Sequence, residues 1–224
     1  MSEVHAVMFD HRRQFHVRSL TSCFVIAATG LLWLSGSQPA QAHHMMGNRL
    51  PANAWEGFLS GLAHPVIGVD HLVFVAAIGF LSATLVRGWL LPLPFVVMAM
   101  AGTGLHLQKA TLPGSEFVIA LSVILLGGLV FWRQQLPFWL MAIGAAIAGL
   151  FHGYAYGESI VGAEMPPTLA YLAGFTLIQY LVALLALQAG RWVTTLTLSR
   201  QRLMIQGLGL FTIAIGLVSL LSQV

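Results

Sequence analysis

The stretch HPVIGVDHLVFVAAIGFLSATLV, residues 64–86, places two histidines and an aspartate at the start of a long apolar run. A bilayer hydrocarbon core about 30 Å thick requires roughly 20 apolar residues in an α-helix, so the run is long enough to cross a membrane. Ionisable groups are costly inside lipid, and the Asp70–His71 pair therefore indicates a functional site. We predict a membrane helix that handles a cation, either a metal ion or a proton.

The composition of the chain is that of a membrane protein. Hydrophobic residues make up 58% of the 224 residues and charged residues only 8%, whereas soluble domains have about 25% charged residues. The net charge of +3 is small and no basic stripe alternates with aromatic residues, so we predict no nucleic-acid partner. The one cysteine is Cys23, in the N-terminal segment described next, so the rest of the chain offers neither a disulfide nor a thiolate ligand.

The first 42 residues resemble a signal peptide. Arginines precede an apolar core over residues 24–34, and Ala40-Gln41-Ala42 has the A-x-A form of a cleavage site. The alternative is an uncleaved first helix, but the apolar core is short for a span. We predict a cleaved signal peptide over 1–42, a periplasmic segment over 43–63 and a transmembrane domain over 64–224. The new N-terminus, His43-His44-Met45-Met46, would either capture a metal ion with its free amine and two imidazoles or be a disordered segment without a function.

The transmembrane domain contains six apolar segments, each near the length that a span requires. We predict an all-α fold, a polytopic helical bundle in the bacterial inner membrane, with the N-terminus of the mature chain in the periplasm. The arginines support this orientation, because most of them fall in connections predicted to be cytoplasmic. The six predicted spans are Pro65–Val86, Leu90–Leu107, Glu116–Trp132, Pro137–Tyr154, Thr168–Leu187 and Leu203–Leu221.

The acidic residues and histidines of the mature chain gather at the predicted outer ends of these spans, where they would attract a divalent cation. On an unbroken helix His64 and His71 lie about 10 Å apart, too far for one metal ion to bind both. We expect Pro65 at the first helical position with His64 capping the helix, so that the two histidines are an outer and an inner station on one path. The predicted metal-binding residues are His64, Asp70, His71, Glu116, His152 and Glu158.

Each of these groups also has a structural interpretation. Histidine and aspartate can be hydrogen-bonded inside a bundle without a ligand, and Glu116 can simply favour the N-terminus of its helix. His152 lies beside Gly149, Gly153 and Gly157, whose four-residue spacing is typical of close helix packing. The first motif favours function because it combines three polar groups in one span, whereas the His152 motif alone leaves both interpretations open.

Three stretches resemble the signatures of the HupE/UreJ family. They are HPVIGVDH at 64–71, Glu116 with Ser122 in the third predicted span, and FHGYAYGE at 151–158. The resemblance covers nearly the whole mature chain. It implies a six-span bacterial inner-membrane protein with a cleaved signal peptide, linked to nickel supply for hydrogenase and urease, or in some relatives to cobalt.

The resemblance also implies roles for individual residues. The key transport residues would be His64, Asp70 and His71, supported by His152 and Glu158. The chain departs from the family at position 156, where it has a tyrosine and many relatives have a histidine. Loss of an imidazole there leaves the metal preference open, and copper is an alternative to nickel and cobalt.

We therefore predict a secondary transporter or facilitator that moves a divalent transition metal, nickel first and cobalt next, from periplasm to cytoplasm. No enzyme activity and no prosthetic group are predicted, and the expected partners are the lipid bilayer and the metal ion. The sequence contains no nucleotide-binding P-loop, so no ATPase of its own is expected, and a homo-oligomer stays open. Two alternatives remain: an intramembrane metal-dependent enzyme and a haem-binding membrane subunit with histidines from two helices.

Overall fold

The computed structural model describes residues 49–134 and 136–223. The predicted signal peptide and the His43–Met46 tail lie outside the described residues. Within them the fold is all-helical, as predicted, and two 3-10 turns, Ser82–Thr84 and Gly88–Leu90, connect the second helix to the third. The described α-helices are α1 (Ala54–Ile67), α2 (Val69–Leu81), α3 (Pro92–Leu107), α4 (Ser115–Phe131), α5 (Phe138–Glu158), α6 (Met165–Thr194) and α7 (Leu198–Leu221).

Four of these helices are long and apolar enough to cross a membrane: α3 with the turn before it, α5, α6 and α7. The pair α1–α2 adds a fifth candidate if the two helices are one broken span. Helix α4 is apolar but has 17 residues, or about 26 Å of helix against a hydrocarbon core of about 30 Å. The membrane bundle is therefore confirmed with four to five candidate spans, while the count of six stays a prediction.

The helices pack mainly as α1 and α2 on α6, α3 on α5, and α4 on α7. Along α6, Gly61 of α1 lies against Tyr171 and Gly79 of α2 lies against Ala183, so both short helices run in the direction of α6. Helices α3 and α5 are also parallel, whereas α4 and α7 are antiparallel. Six segments that cross the membrane alternately would give these same relative directions.

The glycine ridge of α5 packs directly on α3. A Cβ atom added at Gly149 would collide with the Phe95 carbonyl oxygen, and one added at Gly153 would collide with the Ala99 carbonyl oxygen. Only glycine lets the two backbones approach this closely. The close-packing interpretation of the ridge is confirmed, and the contact holds the helix that carries His152 in a fixed position.

A bend of 79° at Gly68 separates α1 from α2. Gly68 has an extended backbone (φ −72°, ψ 98°), which ends α1, while its carbonyl oxygen accepts the Leu72 N–H at 2.9 Å and so begins α2. The prediction of an unbroken helix from Pro65 is therefore wrong. Pro65 lies inside α1, whose N-terminus is capped by the Asn53 side chain, which accepts the Glu56 N–H at 2.9 Å.

Candidate functional site

A pair of histidines joins α2 to α5 inside the bundle. The Nδ1 atoms of His71 and His152 lie 2.7 Å apart, a hydrogen-bond distance, and the His152 side chain is fully buried. The aromatic rings of Phe74 and Phe95 cover His152, with ring centroids 4.7 and 5.5 Å from the imidazole. This apolar surround excludes water and strengthens the hydrogen bond between the two rings.

The hydrogen bonds around this pair are compatible with the following assignment of protons to the ring nitrogens, which we adopt. The Ser122 hydroxyl donates to the Ile119 carbonyl oxygen at 2.7 Å, so its own oxygen accepts the His152 Nε2–H at 3.0 Å. With its proton on Nε2, neutral His152 uses Nδ1 as an acceptor for the His71 Nδ1–H. In this assignment the lone pair of His71 is on Nε2, and a neutral imidazole binds a cation or accepts a proton through such a lone pair.

Asp70 lies beside this pair in the first turn of α2. Its Oδ1 atom accepts the His71 N–H at 2.9 Å and its Oδ2 atom accepts the Ser219 hydroxyl of α7 at 3.0 Å. A carboxylate is favoured at a helix N-terminus, where the unpaired N–H groups carry partial positive charge. The bend at Gly68 creates this N-terminus in the middle of the polar motif, so the fold itself stabilises the Asp70 charge.

His64 lies close to His71, in the last turn of α1. The two ring centroids are 6.3 Å apart because the bend at Gly68 turns α2 back toward the end of α1. The expected separation of about 10 Å along one straight helix is wrong for this reason. Together His64, His71 and His152 form what we call the histidine chain, three neighbouring imidazoles from α1, α2 and α5.

Tyr156 packs against two members of the histidine chain. Its ring centroid lies 4.6 Å from that of His71 and 5.1 Å from that of His64, and its side chain is fully buried. Sequence reasoning noted the tyrosine but assigned it no role. It missed Ser219 entirely, because a single serine in an apolar span gives no signal until the fold places it beside Asp70.

The two predicted glutamates lie at the rim. Glu116 lies in the first turn of α4 and Glu158 ends α5, and both residues are exposed. The structure thus brings Asp70 and the histidine chain together and leaves the two glutamates outside them. Across residues 49–134 and 136–223, no group of three or more histidine, cysteine or acidic side chains is arranged to hold one metal ion. The arrangement is a series of neighbouring imidazoles with one carboxylate beside them.

Comparison with known proteins identifies the group to which the molecule belongs. Residues 31–219 match the family model described as HupE / UreJ protein. The chain belongs to the HupE/UreJ family. HupE/UreJ proteins are membrane proteins of the transporter type, generally related to nickel and cobalt uptake.

One HupE/UreJ relative is Protein HupE of Rhizobium leguminosarum bv. viciae. The two sequences are 37% identical over 122 residues, which cover 54% of this chain and 63% of the relative. The match thus spans less than two thirds of the relative's length. No solved structure gives a significant match.

Proposed function

We propose that this chain is a secondary transporter or facilitator that takes up a divalent transition metal from the periplasm into the cytoplasm of a bacterium, across the inner membrane. Nickel is the proposed first substrate and cobalt the second. The metal enters at the histidine chain, past the exposed carboxylates at the rim. The proposed path residues are Glu116, Glu158, His64, Asp70, His71 and His152.

The histidine chain carries this proposal. The ring centroids of His64 and His71 are 6.3 Å apart, close enough for an ion to exchange one imidazole for the other, since metal–nitrogen bonds are about 2 Å long. His152 lies 4.8 Å beyond His71 and can take the ion next when the hydrogen bond between these two rings opens. An ion that must move on needs sites that bind it well enough to enter and weakly enough to leave. Neighbouring pairs of ligands meet this condition, whereas a closed four-ligand cage would retain the ion.

The chemistry of the groups supports a divalent transition metal as the substrate. Neutral imidazole is a good ligand for nickel, copper, zinc and iron, whereas magnesium and calcium prefer sites made of oxygen alone. The Asp70 carboxylate supplies negative charge beside the imidazoles, and the glutamates at the rim raise the local concentration of cations. Because the HupE/UreJ family is generally related to nickel and cobalt uptake, we place these two metals first among the candidates.

The membrane potential is a sufficient driving force for this uptake. A potential of 100 mV is worth about 2.3 kcal/mol per elementary charge, hence about 4.6 kcal/mol for a dication. That energy corresponds to roughly a 2,000-fold accumulation at equilibrium. No coupled ATP hydrolysis is required.

Uptake by the full chain in proteoliposomes tests the proposal. Nickel, cobalt, copper, iron and zinc are offered separately and the internal metal is measured by mass spectrometry. We expect nickel to enter fastest and cobalt next, and a His64→Ala, Asp70→Asn double variant to fall to the rate of empty liposomes. Equal rates for every metal in the wild type and the double variant would contradict transport. Metal-dependent hydrolysis or a haem absorption band without flux would favour the enzyme or haem alternative.

A further inference from the structure

Tyr156 contains one of the four buried side-chain polar atoms that lack a hydrogen-bond partner within the described residues; the others belong to His106, Thr176 and Gln179. Its side chain is fully buried, yet its hydroxyl has no hydrogen-bond partner within the described residues. Nine in ten or more buried polar groups in proteins are paired, and an unpaired one calls for a specific explanation. The neighbouring rings are those of His64, His71 and Phe175, and only the two histidines are polar, so the explanation is to be sought at the histidine chain.

A second buried tyrosine in the same region shows that the fold can satisfy a phenol. The Tyr171 hydroxyl of α6 donates to the Tyr156 carbonyl oxygen at 3.0 Å and accepts the Ser159 hydroxyl at 2.9 Å. The Tyr156 ring, by contrast, lies against the imidazoles of His64 and His71, and its hydroxyl is left without a partner within the described residues. The two tyrosines are equally buried but face different surroundings: one is held by the protein, and the other lies beside the ion path.

We propose that the Tyr156 hydroxyl is an oxygen donor to the cation as it passes between His64 and His71, and that it tunes which metal is taken up. The inference rests on the proposed function for its biological meaning. It adds one donor to the path, so that this station offers two nitrogen atoms and one oxygen atom to the ion.

The chemistry of the donor gives the direction of the selectivity. Imidazole nitrogen favours nickel and copper, late in the first-row series, whereas oxygen donors suit manganese and magnesium. A site with two imidazoles and a neutral phenol oxygen should therefore have a smaller ratio of nickel to manganese affinity than a site with three imidazoles. Tyr156→His should widen that advantage, and Tyr156→Phe should weaken binding of every metal because the donor is lost.

The test uses the purified full chain with Co²⁺ and Ni²⁺ as probes, by calorimetric titration in detergent and by uptake in proteoliposomes. Tyr156→Phe removes one oxygen atom and keeps the ring. Tyr154→Phe is the matched control, since Tyr154 lies on the same helix and packs on His106. We expect Tyr156→Phe to weaken Co²⁺ binding about tenfold, the low end of what a bond to a charged group is worth. Tyr154→Phe should stay within about twofold. Tyr156→His should raise the ratio of Ni²⁺ to Mn²⁺ affinity.

The binding measurement separates this inference from the transport proposal. If the wild type binds Co²⁺ and Tyr156→Phe binds it more weakly, the oxygen donor stands even when no flux is seen and transport fails. Equal Co²⁺ affinity in the wild type and Tyr156→Phe would overturn the donor role and leave the transport proposal intact. An absence of Co²⁺ binding in both would also overturn the donor role. An unchanged unfolding temperature and elution volume for Tyr156→Phe would show that any loss is local.

Discussion

Replacement of Ser122 by alanine tests the proton arrangement of the histidine chain. The substitution removes the oxygen that accepts the His152 Nε2–H at 3.0 Å, deep in a site from which water is excluded. A buried donor left unpaired costs about 1–3 kcal/mol. His152 can avoid this cost by moving its proton to Nδ1, which then donates to His71 and reverses the bond between the two rings. His71 then accepts this bond with its Nδ1 lone pair and carries its own proton on Nε2, so Nε2 can no longer bind the ion.

The structure gives the expected size of this effect. In the variant, returning the lone pair to His71 Nε2 leaves the His152 Nε2–H unpaired, at a cost of about 1–3 kcal/mol. That cost corresponds to roughly a 5- to 150-fold slower initial rate of Ni²⁺ uptake at low Ni²⁺ concentration. Ser122→Thr keeps the hydroxyl and should restore most of the rate. The matched control is Ser82→Ala, because the Ser82 hydroxyl also donates to the carbonyl three residues back but contacts no histidine.

Two measurements decide the outcome for Ser122→Ala. Uptake into proteoliposomes gives the rate, and nitrogen NMR of labelled histidine gives the tautomers of His71 and His152. We expect the slow rate to accompany a change of tautomer in both rings. A Ser122→Ala variant with wild-type uptake and wild-type tautomers would refute the reasoning, as would an equal loss in Ser82→Ala.

Two further predictions concern charge and packing. Asp70→Asn keeps one side-chain oxygen for the His71 N–H, and its amide group can donate to the Ser219 hydroxyl, but the negative charge is lost. Ni²⁺ uptake should therefore fall at least about tenfold while the unfolding temperature in detergent changes little. Gly153→Ala places a Cβ against the Ala99 carbonyl oxygen and should destabilise the chain by about 1–3 kcal/mol, read as a lower unfolding temperature. Gly144→Ala on the same helix meets nothing within 4 Å and should be neutral or slightly stabilising; an equal loss in both variants would contradict the packing argument.

The properties that depend on local composition could be predicted from the sequence. Apolar segments of spanning length and few charges predict an all-helical membrane bundle, and the four-residue glycine spacing on α5 predicts the close contact that Gly153 makes with α3. Both follow from length and periodicity alone. The polar residues that gather at one end of the spans also led directly to Asp70 and the three histidines of the chain.

The arrangement of the site could not be predicted, because it depends on contacts between distant segments. Pro65 suggests a helix start, yet α1 extends past it since its glycines pack on α6, and only then does Gly68 end the helix. That bend alone changes His64 and His71 from distant stations into neighbours. The support of Asp70 comes from Ser219, 149 residues away, for which no spacing rule exists.

The most direct test of metal passage through the histidine chain is Ni²⁺ uptake into proteoliposomes under a potential negative inside, with His71→Ala compared with His106→Ala. His106 also lies at the predicted outer end, but its ring packs on Tyr154 and, within the described residues, makes no ring contact with a member of the histidine chain. We predict that Ni²⁺ accumulates in the wild type and in His106→Ala, and that accumulation falls to the level of empty liposomes in His71→Ala. Equal accumulation in the two variants would contradict the central claim.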